Sequence, residues 1–259
     1  PDVGLFLGWC GTTGIITKLS LRLFPCKRIR GVGTFVLEHE DLVPEAVYKL
    51  THTQMAEDIV AFSSAIPPFA SELQQITVNI AADSEKELEF KQEILWDDTL
   101  GEYIHRGEGA YLGFVRHLQR PQISKTSDYK KGGGFEYVGS IVPIQRYPEC
   151  YRKGREISER HGIPYTVTGR CVGAGHSMMF AWTFAFNRAD PETIIQARKA
   201  LHETDDLVLQ LGGVIWKPGT YGQKLILERL DPGTKELMGK IKRLIDPNGI
   251  MNPGNWEVA

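Results

Sequence analysis

The feature that most constrains the fold is a pattern of predicted strands and helices that occurs twice along the chain. In the first round, hydrophobic periodicity predicts strands over 32–37, 58–63 and 74–81 and helices over 41–56 and 84–96. The second round predicts strands over 137–143, 164–172 and 177–186 and helices over 147–161 and 190–211. Both rounds follow the order strand, helix, strand, strand, helix.

This order predicts an α+β fold in which one antiparallel sheet carries helices on one face. Each round resembles a ferredoxin-like half, so the sheet is expected to join two such halves. The residues themselves show no repeat that would prove this symmetry. The aromatic side chains Phe180, Trp182, Phe184 and Phe186 alternate at period two, which is typical of one core face of a strand.

The two ends of the chain lie outside this pattern. Residues 3–24 are interpreted as strand, glycine turn and strand, because Ile15–Leu23 alternates between apolar and polar residues. At the other end a helix is predicted to begin at Asp231 and Pro232, and its turn-forming stop is Asp246–Gly249. The chain begins with Pro1 rather than Met, so we expect an N-terminal part to be missing.

Composition excludes several classes of function. The 259 residues are 42% hydrophobic and 24% charged with a formal net charge of −2, values typical of one large or two smaller globular domains. The longest apolar run, Met178–Phe186, is far shorter than the ~20 residues of a spanning helix, so no membrane span is predicted. Without a basic block no nucleic-acid binding is expected.

The four cysteines have no CxxC spacing, so neither an iron–sulfur nor a zinc site is predicted from them. Reduced thiols and a cytoplasmic location are the simplest expectation.

Three stretches combine glycine with residues suited to binding loops. The first, Gly8–Thr17, reads GWCGTTGIIT; its glycines let a backbone approach a flat or phosphorylated ligand, although Gly-rich hairpins also form ordinary tight turns. The second, Ile245–Gly254, reads IDPNGIMNPG, which by itself is a helix stop followed by a turn. The third is a series of short segments: Gly139–Pro143, Gly173–His176 and Gly212–Ile215.

Together these stretches resemble FAD-linked oxidoreductases of the vanillyl-alcohol-oxidase/glycolate-oxidase type, which include D-lactate dehydrogenase-like members. The first is similar to the family's G-S-E-G-T-L-G-I-I-T element, with Trp9 and Cys10 in place of Ser and Glu. The second is similar to the family's D-P-N-G-I-L-N-P-G ending, and the third resembles loops of the family's substrate-binding cap. The resemblance covers nearly the whole chain.

The resemblance implies three regions. Residues 1–28 would end a FAD-binding domain, 29–230 would form the substrate-binding cap, and 231–259 would return to the FAD-binding domain. The cofactor would be FAD, bordered by five residues: Gly11, Thr12, Gly14, Ile15 and Asn252. The main FAD-binding region would lie upstream of Pro1 or on a separate subunit.

The family's 2-hydroxy-acid oxidising members carry a metal-associated G-H-x-G-D-G-N-x-H element and a later E-H-G element. Here only Gly175 and His176 remain of the first, and residues 212–222 contain no Glu-His pair. Because one imidazole cannot supply the three or four ligands of a metal site, no catalytic metal is predicted.

Three residues are candidates for catalysis. His176 could act as a base or hydrogen-bond donor, or be an ordinary structural histidine. Tyr221, flanked by Lys217 and Lys224, could orient an acidic or phenolic substrate or simply stabilise its loop. Arg170 could bind a carboxylate, although surface arginines are commoner.

The predicted function is oxidation of a small alcohol, 2-hydroxy acid or phenolic substrate by hydride transfer to the flavin. Electrons would leave to oxygen or to an electron-acceptor protein. The alternatives are a non-catalytic accessory subunit that pairs with a separate flavin-binding chain and a ferredoxin-like binding module, against which the intact tail argues. Homodimerisation through the cap stays open.

Overall fold

The computed structural model describes residues 3–23, 25–64, 71–105, 133–172 and 175–257. The chain divides into two compact units: unit 1 is Pro1–Pro25 with Ile215–Ala259, and unit 2 is Cys26–Val214. The boundaries predicted from the sequence follow residues 28 and 230, so residues 26–28 and 215–230 fall on the other side of the observed division. Which unit belongs to a cap or to a FAD-binding domain stays a prediction.

One antiparallel sheet, with strands of different lengths, is the main element of unit 2. Its strands within the described ranges are β1 Ile29–Leu37, β2 Ala56–Ser64, β3 Ser71–Ala82, β4 Ile104–His105, β5 Gly134–Pro143, β6 Tyr165–Val172, β7 Ser177–Phe186 and β8 Val214–Ile215. Their order across the sheet is β4-β1-β3-β2-β6-β7-β5-β8. The six strands predicted for the two rounds of the pattern are all present, five of them with bounds shifted by a few residues.

The strand order shows the two halves directly. The first half runs β1-β3-β2 and the second runs β5-β7-β6, and the two meet where β2 pairs antiparallel with β6. The predicted fusion of two ferredoxin-like halves into one antiparallel sheet is therefore confirmed. At the junction the hydroxyls of Ser64 and Thr166, both buried, lie 2.9 Å apart.

Four α-helices accompany the sheet in the described part of unit 2: α1 Val43–His52, α2 Glu85–Gln92, α3 Tyr147–His161 and α4 Pro191–Gln210. Helix α2 continues as a π-helix over Glu93–Thr99, so the predicted helix over 84–96 is two elements. Local sequence sets the helix ends, since Ser84 caps α2, Asp190 caps α4 and Gly162 ends α3 at φ 63°.

These helices lie on one face of the sheet. A Cβ at Gly31 of β1 would meet Leu88 of α2, and the indole N–H of Trp182 on β7 donates to the Cys150 carbonyl of α3 at 3.1 Å. Helices α1 and α4 both pack against α3. The core between the layers contains the fully buried rings of Phe180, Trp182 and Phe184, as the alternation predicts, whereas Phe186 is half-buried.

Unit 1 differs more from expectation. Helix α6, Pro232–Ile245, begins after the Asp231 cap as predicted. Helix α5, Thr220–Arg229, was not predicted, because its first turn reads Thr-Tyr-Gly after Pro218 and Gly219, residues that favour loops.

The predicted strands over 3–24 are wrong for the described residues. Val3–Leu5 is a 3-10 helix, turns follow, and residues 14–23 have no regular secondary structure. The side chains of Ile15, Leu19, Leu21 and Leu23 are 66–86% exposed. The period-two pattern is real, but an isolated extended segment without a hydrogen-bonded neighbour is not a strand.

No helix in the described residues is long and apolar enough to span a lipid bilayer.

Gly154 of α3 provides a test of the packing between helix and sheet. A Cβ there would lie 2.2 Å from the Tyr165 hydroxyl and 2.7 Å from the Trp182 ring. We expect Gly154→Ala to lower the free energy of unfolding by about 1–3 kcal/mol because of overpacking. Urea unfolding followed by circular dichroism measures this, with the exposed neighbour Lys153→Ala as the control. An unchanged midpoint in Gly154→Ala would show that the interface is loose.

Candidate functional site

The glycine-rich loop of unit 1 is closed by its own hydrogen bonds. The backbone N–H and the side-chain hydroxyl of Thr12 both donate to the Trp9 carbonyl, at 3.0 and 2.7 Å, and Thr13 donates to the Leu5 carbonyl at 2.9 Å. Gly11 has φ 74°, a backbone conformation that costs glycine little. Both threonines are buried, so Thr12 shapes the loop with all its polar groups engaged.

The tail forms a second closed turn. Both carboxylate oxygens of Asp246 accept backbone hydrogen bonds, from Ile250 at 3.1 Å and from Met251 at 2.9 Å. Gly249 follows with φ 64° and Asn252 with φ 43°, positions where the tail reverses direction. The Asp-Pro-Asn-Gly sequence therefore ends α6 and forms a compact turn, as these residue types favour.

Three side chains join the tail to the glycine loop. Lys242 donates to the Thr12 carbonyl at 2.8 Å and to the Met251 carbonyl at 3.0 Å, and it also pairs with Asp246. The Asn252 amide donates to the carbonyl of Cys10, and the Trp256 indole donates to the Gly8 carbonyl at 2.8 Å. We call these contacts of Lys242, Asn252 and Trp256 the loop–tail clasp.

Gln223 of α5 lies beneath the clasp and is 2% exposed. Its amide nitrogen donates to the Pro218 carbonyl at 3.2 Å and to the Asn255 side chain at 3.0 Å. Its oxygen accepts from the Trp256 backbone N–H at 2.7 Å. One buried amide thus connects α5, the loop before it and the end of the tail.

Sequence reasoning found Asn252 but missed Lys242, Gln223 and Trp256. Lys242 carried a signal, because an i,i+4 pair with Asp246 is visible at the end of the predicted helix. Gln223 carried none, since a single glutamine in a helix has no local pattern that marks it as buried.

The outer surface of the glycine loop suits a flat ring. Gly8, Cys10 and Gly11 are exposed, and no heavy atom lies within 4 Å of a Cβ built at Gly8 or Gly11. Ile15, which follows the loop, is 81% exposed. The predicted cofactor-binding residues therefore belong to one loop and the tail turn clasped to it, and the open space at the exposed glycines fits a flavin pressed against the backbone.

His176 lies in unit 2, just before β7, and is exposed. Its imidazole Nδ1 lies 2.9 Å from the Ser177 hydroxyl, and its carbonyl accepts from the Ile144 N–H at 3.2 Å. Gly175 before it has φ 93°, and a Cβ there would lie 2.3 Å from the Thr51 hydroxyl of α1. The Gly-His pair is thus explained locally by packing. Gly173 and Ala174 of the same stretch lie outside the described residues.

Arg170 of β6 points to a partner within unit 2. Its guanidinium pairs with Asp58 of β2 at 2.9 Å, and both side chains are partly exposed. Burial raises the pKa of Asp58 above its ordinary value, and the charge of Arg170 opposes that rise.

Tyr221 lies in unit 1, half-buried in the first turn of α5. The catalytic roles predicted for His176, Arg170 and Tyr221 stay predictions.

One group of three metal-ligating side chains is present among the described residues. His39, Glu40 and Asp41 place ligand atoms within 4.8 Å of one another. Arg152 pairs with both carboxylates, at 3.0 and 3.1 Å, so the protein supplies the cation of this cluster itself. His176 is not a member of it.

The comparison with known families addresses the resemblance. Residues 130–256 match the family model described as FAD linked oxidases, C-terminal domain. This part of the chain is therefore similar to the C-terminal domain of FAD-linked oxidases. FAD is the cofactor by which this oxidoreductase family is named, and the resemblance inferred from the three stretches is confirmed.

Curated relatives with similar sequences include FAD-linked and flavin-dependent oxidoreductases. An uncharacterized FAD-linked oxidoreductase of Mycobacterium tuberculosis is 26% identical over 96% of this chain and 57% of its own length. A D-lactate dehydrogenase of Archaeoglobus fulgidus is 32% identical over 46% of this chain and 26% of its own length. The flavoprotein subunit of a Pseudomonas putida 4-cresol dehydrogenase is 24% identical over 48% of this chain. The chain spans about half the length of the first of these relatives.

Solved structures share the fold at low identity. A p-cresol methylhydroxylase crystallised with bound substrate matches with a TM-score of 0.70 and 16% identity, over 90% of this chain and 53% of that chain. A 4-ethylphenol oxidase from Gulosibacter chungangensis matches with a TM-score of 0.73 and 13% identity, over 92% and 55%. The predicted FAD-linked oxidase fold is therefore observed.

The buried amide of Gln223 can be tested by removal. Gln223→Leu leaves the Trp256 N–H and the Pro218 carbonyl without their partners, which costs about 1–3 kcal/mol for each buried group. We expect a lower free energy of unfolding and faster hydrogen–deuterium exchange in residues 250–257. The exposed neighbour Lys224→Leu is the control. Equal exchange in both variants would mean that the tail is held without Gln223.

Asp246 makes the clasp sensitive to acid. The Lys242 side chain, followed by the Met251 N–H, lowers the pKa of Asp246 below its usual value. Its stabilising effect is therefore complete above the unfolded pKa of about 4 and is lost as pH falls through the lower folded value. We expect Asp246→Asn to lower the melting temperature at pH 7, and this difference from wild type to shrink at acidic pH.

The matched control is Glu236→Gln, because Glu236 makes an exposed pair with Lys240 on the same helix. Thermal unfolding from pH 7 down to pH 3 gives the comparison. A pH-independent gap between Asp246→Asn and wild type would contradict the charge-based account.

Proposed function

We propose that this chain forms the C-terminal part of a FAD-dependent oxidoreductase that oxidises a small alcohol, a 2-hydroxy acid or a phenolic substrate. The observation that supports it most is the loop–tail clasp. It joins the two stretches that resemble the family's FAD-binding elements, although Cys10 and Asn252 are 242 positions apart along the chain. Two of the relatives are named for a 2-hydroxy acid and for a phenol, D-lactate dehydrogenase and 4-cresol dehydrogenase, so the proposal includes both kinds of substrate.

In this proposal Gly11, Gly14 and Ile15 would hold the flavin from the open side of the loop, with Thr12 and Asn252 keeping the loop in shape. When bound, FAD would accept the hydride and so supply the redox chemistry. The residues of this chain then bind and orient the substrate and move its proton.

The proposed roles of the three candidate side chains follow from their chemistry. His176 would take the proton from the substrate hydroxyl, since its imidazole is exposed and a ring nitrogen can accept a proton. Arg170, held by Asp58, would bind a substrate carboxylate. Tyr221 would donate a hydrogen bond to a substrate oxygen.

The proposal includes a FAD-binding region on the same or a separate polypeptide. The exposed apolar residues Ile15, Leu19, Leu21 and Leu23 support it, because such a row is normally covered by protein. We also propose residues 1–28 and 231–259 as parts of the FAD-binding domain and 29–230 as the substrate-binding cap. A cytoplasmic location, an electron-acceptor protein and a homodimer remain part of this proposal.

The second candidate is an accessory subunit that does not catalyse. The Asp58–Arg170 pair favours it, because the arginine proposed for substrate already has a carboxylate partner. This candidate keeps the fold and the clasp but predicts no substrate-dependent change in flavin.

Visible absorption separates the two candidates. The chain is purified together with its FAD-binding region, loaded with FAD, and titrated anaerobically with D-lactate and with 4-cresol. Bleaching of the bound flavin by one of them supports the oxidoreductase and selects its substrate class. A bound flavin that neither these nor other hydroxy acids and phenols bleach supports the accessory subunit.

Arg170→Met tests the role of the guanidinium. If Arg170 binds a carboxylate, we expect KM for D-lactate to rise by about ten-fold or more while reaction with 4-cresol is much less affected. Arg152→Met is the control, because Arg152 pairs with Glu40 and Asp41 on the surface. An equal loss with both substrates would indicate that the variant disturbs the sheet instead.

A further inference from the structure

Two buried amides of β3 have polar atoms without hydrogen-bond partners, and they lie on opposite faces of the sheet. Gln74 lacks a partner only for its nitrogen, since its oxygen accepts from the Tyr147 hydroxyl at 2.8 Å. Asn79 is 1% exposed, and in the described part of the chain neither its oxygen nor its nitrogen has a partner. Buried polar groups are seldom left unpaired because their desolvation is costly.

The strand register places Asn79 beside charged groups. Asn79 lies directly opposite Asp58 of β2, and directly opposite residues of an antiparallel pair project to the same face. Asp58 reaches across to Arg170, whose own register partner on β2 is Val60. Three neighbouring strands therefore bring an amide, a carboxylate and a guanidinium to one area of the sheet.

This area lies on the face opposite the helices. Ile80, the neighbour of Asn79 on β3, points to the helix face, where it lies next to the position of a Cβ at Gly31 and near Leu88 of α2. Asn79 projects the other way, as does Thr77, whose hydroxyl lies 3.4 Å from that of Thr34. This second face is polar around Asn79, although a sheet face that only packs against protein is normally apolar.

Exposure changes with depth across the area. The side chains of Arg170 and Asp58 are 32% and 21% exposed, whereas Asn79 is almost fully buried. The ion pair is thus partly open to solvent, whereas the unpaired amide is enclosed. An enclosed amide with one free acceptor and one free donor group matches a hydroxyl, which can donate to the first and accept from the second.

We propose that Asn79 is a specificity-determining residue whose amide binds a hydroxyl group of the substrate. The inference rests on the proposed function for the substrate class and adds a residue to it. A site built to bond a hydroxyl rejects the analogue that lacks it, because the amide is then left unpaired in a buried place. Asn79 contributes to substrate recognition through hydrogen bonds, and no covalent bond to it forms or breaks.

The test compares D-lactate with propionate, which has the same carbon skeleton and carboxylate but no hydroxyl. Isothermal titration calorimetry on the whole chain, with and without FAD, gives the ratio of their dissociation constants. We expect wild type to prefer D-lactate by at least about ten-fold and Asn79→Val to reduce the preference to within about two-fold. Asn79→Ala repeats the test if the valine variant does not fold.

Gln74→Met is the matched control, because Gln74 is an equally buried amide on the same strand but faces the helices. It is expected to change stability without changing the preference. Equal affinity of wild type for D-lactate and propionate overturns the proposal. So does a preference that survives Asn79→Val, since the amide would then hold only an ordered water.

The result is separable from that of the flavin experiment. A hydroxyl preference that depends on Asn79, found without any bleaching of the flavin, supports the binding role while the oxidoreductase proposal fails. Bleaching by D-lactate with a preference that survives Asn79→Val supports the oxidoreductase and overturns the role of Asn79.

Discussion

The pairing of β2 with β6 is the contact on which unit 2 depends. Without it the β1-β3-β2 and β5-β7-β6 halves would each have an open edge, and a three-stranded half buries too little to be secure alone. The same junction carries the Ser64–Thr166 hydroxyl contact and the Asp58–Arg170 ion pair. Joining the halves therefore also assembles the polar area that includes Asn79.

Unit 1 is organised differently, by buried and half-buried hydrogen bonds. Lys242 and Gln223 each bind several backbone or side-chain groups that the turns of the loop and tail leave unpaired. This follows from the sequence, because segments rich in Gly, Pro and Asn offer few apolar side chains for a core. Backbone carbonyls in such segments need donors, and a lysine and a glutamine on the adjoining helices provide them.

Most of unit 2 could be predicted from sequence, and the reason is periodicity. Helix α3 and strand β7 have the predicted bounds, since each has a continuous apolar stripe and a clear end signal such as Gly162. Residues 15–23 carried an equally clear strand pattern but lack a neighbouring strand in the described residues. A pattern reports which face is apolar, whereas strand formation also needs a partner.

Some residues of the candidate site could likewise be predicted from the sequence and others could not. The glycine loop and the tail were found because several special residues follow one another in each. Gln223 and Asn79 were missed, since burial of one amide depends on contacts between residues far apart in sequence. Position on the sheet, which the register supplies, is what distinguishes Asn79 from any other asparagine.

The exposed extended segment that ends near Leu23 has a consequence for handling the chain. A run of exposed, branched apolar residues outside any sheet is a template on which a second copy can add as a strand, the first step of ordered aggregation. Lys18 and Arg22 interrupt the run with positive charge, which opposes stacking of identical copies. High salt screens that repulsion and so favours precipitation of the isolated chain.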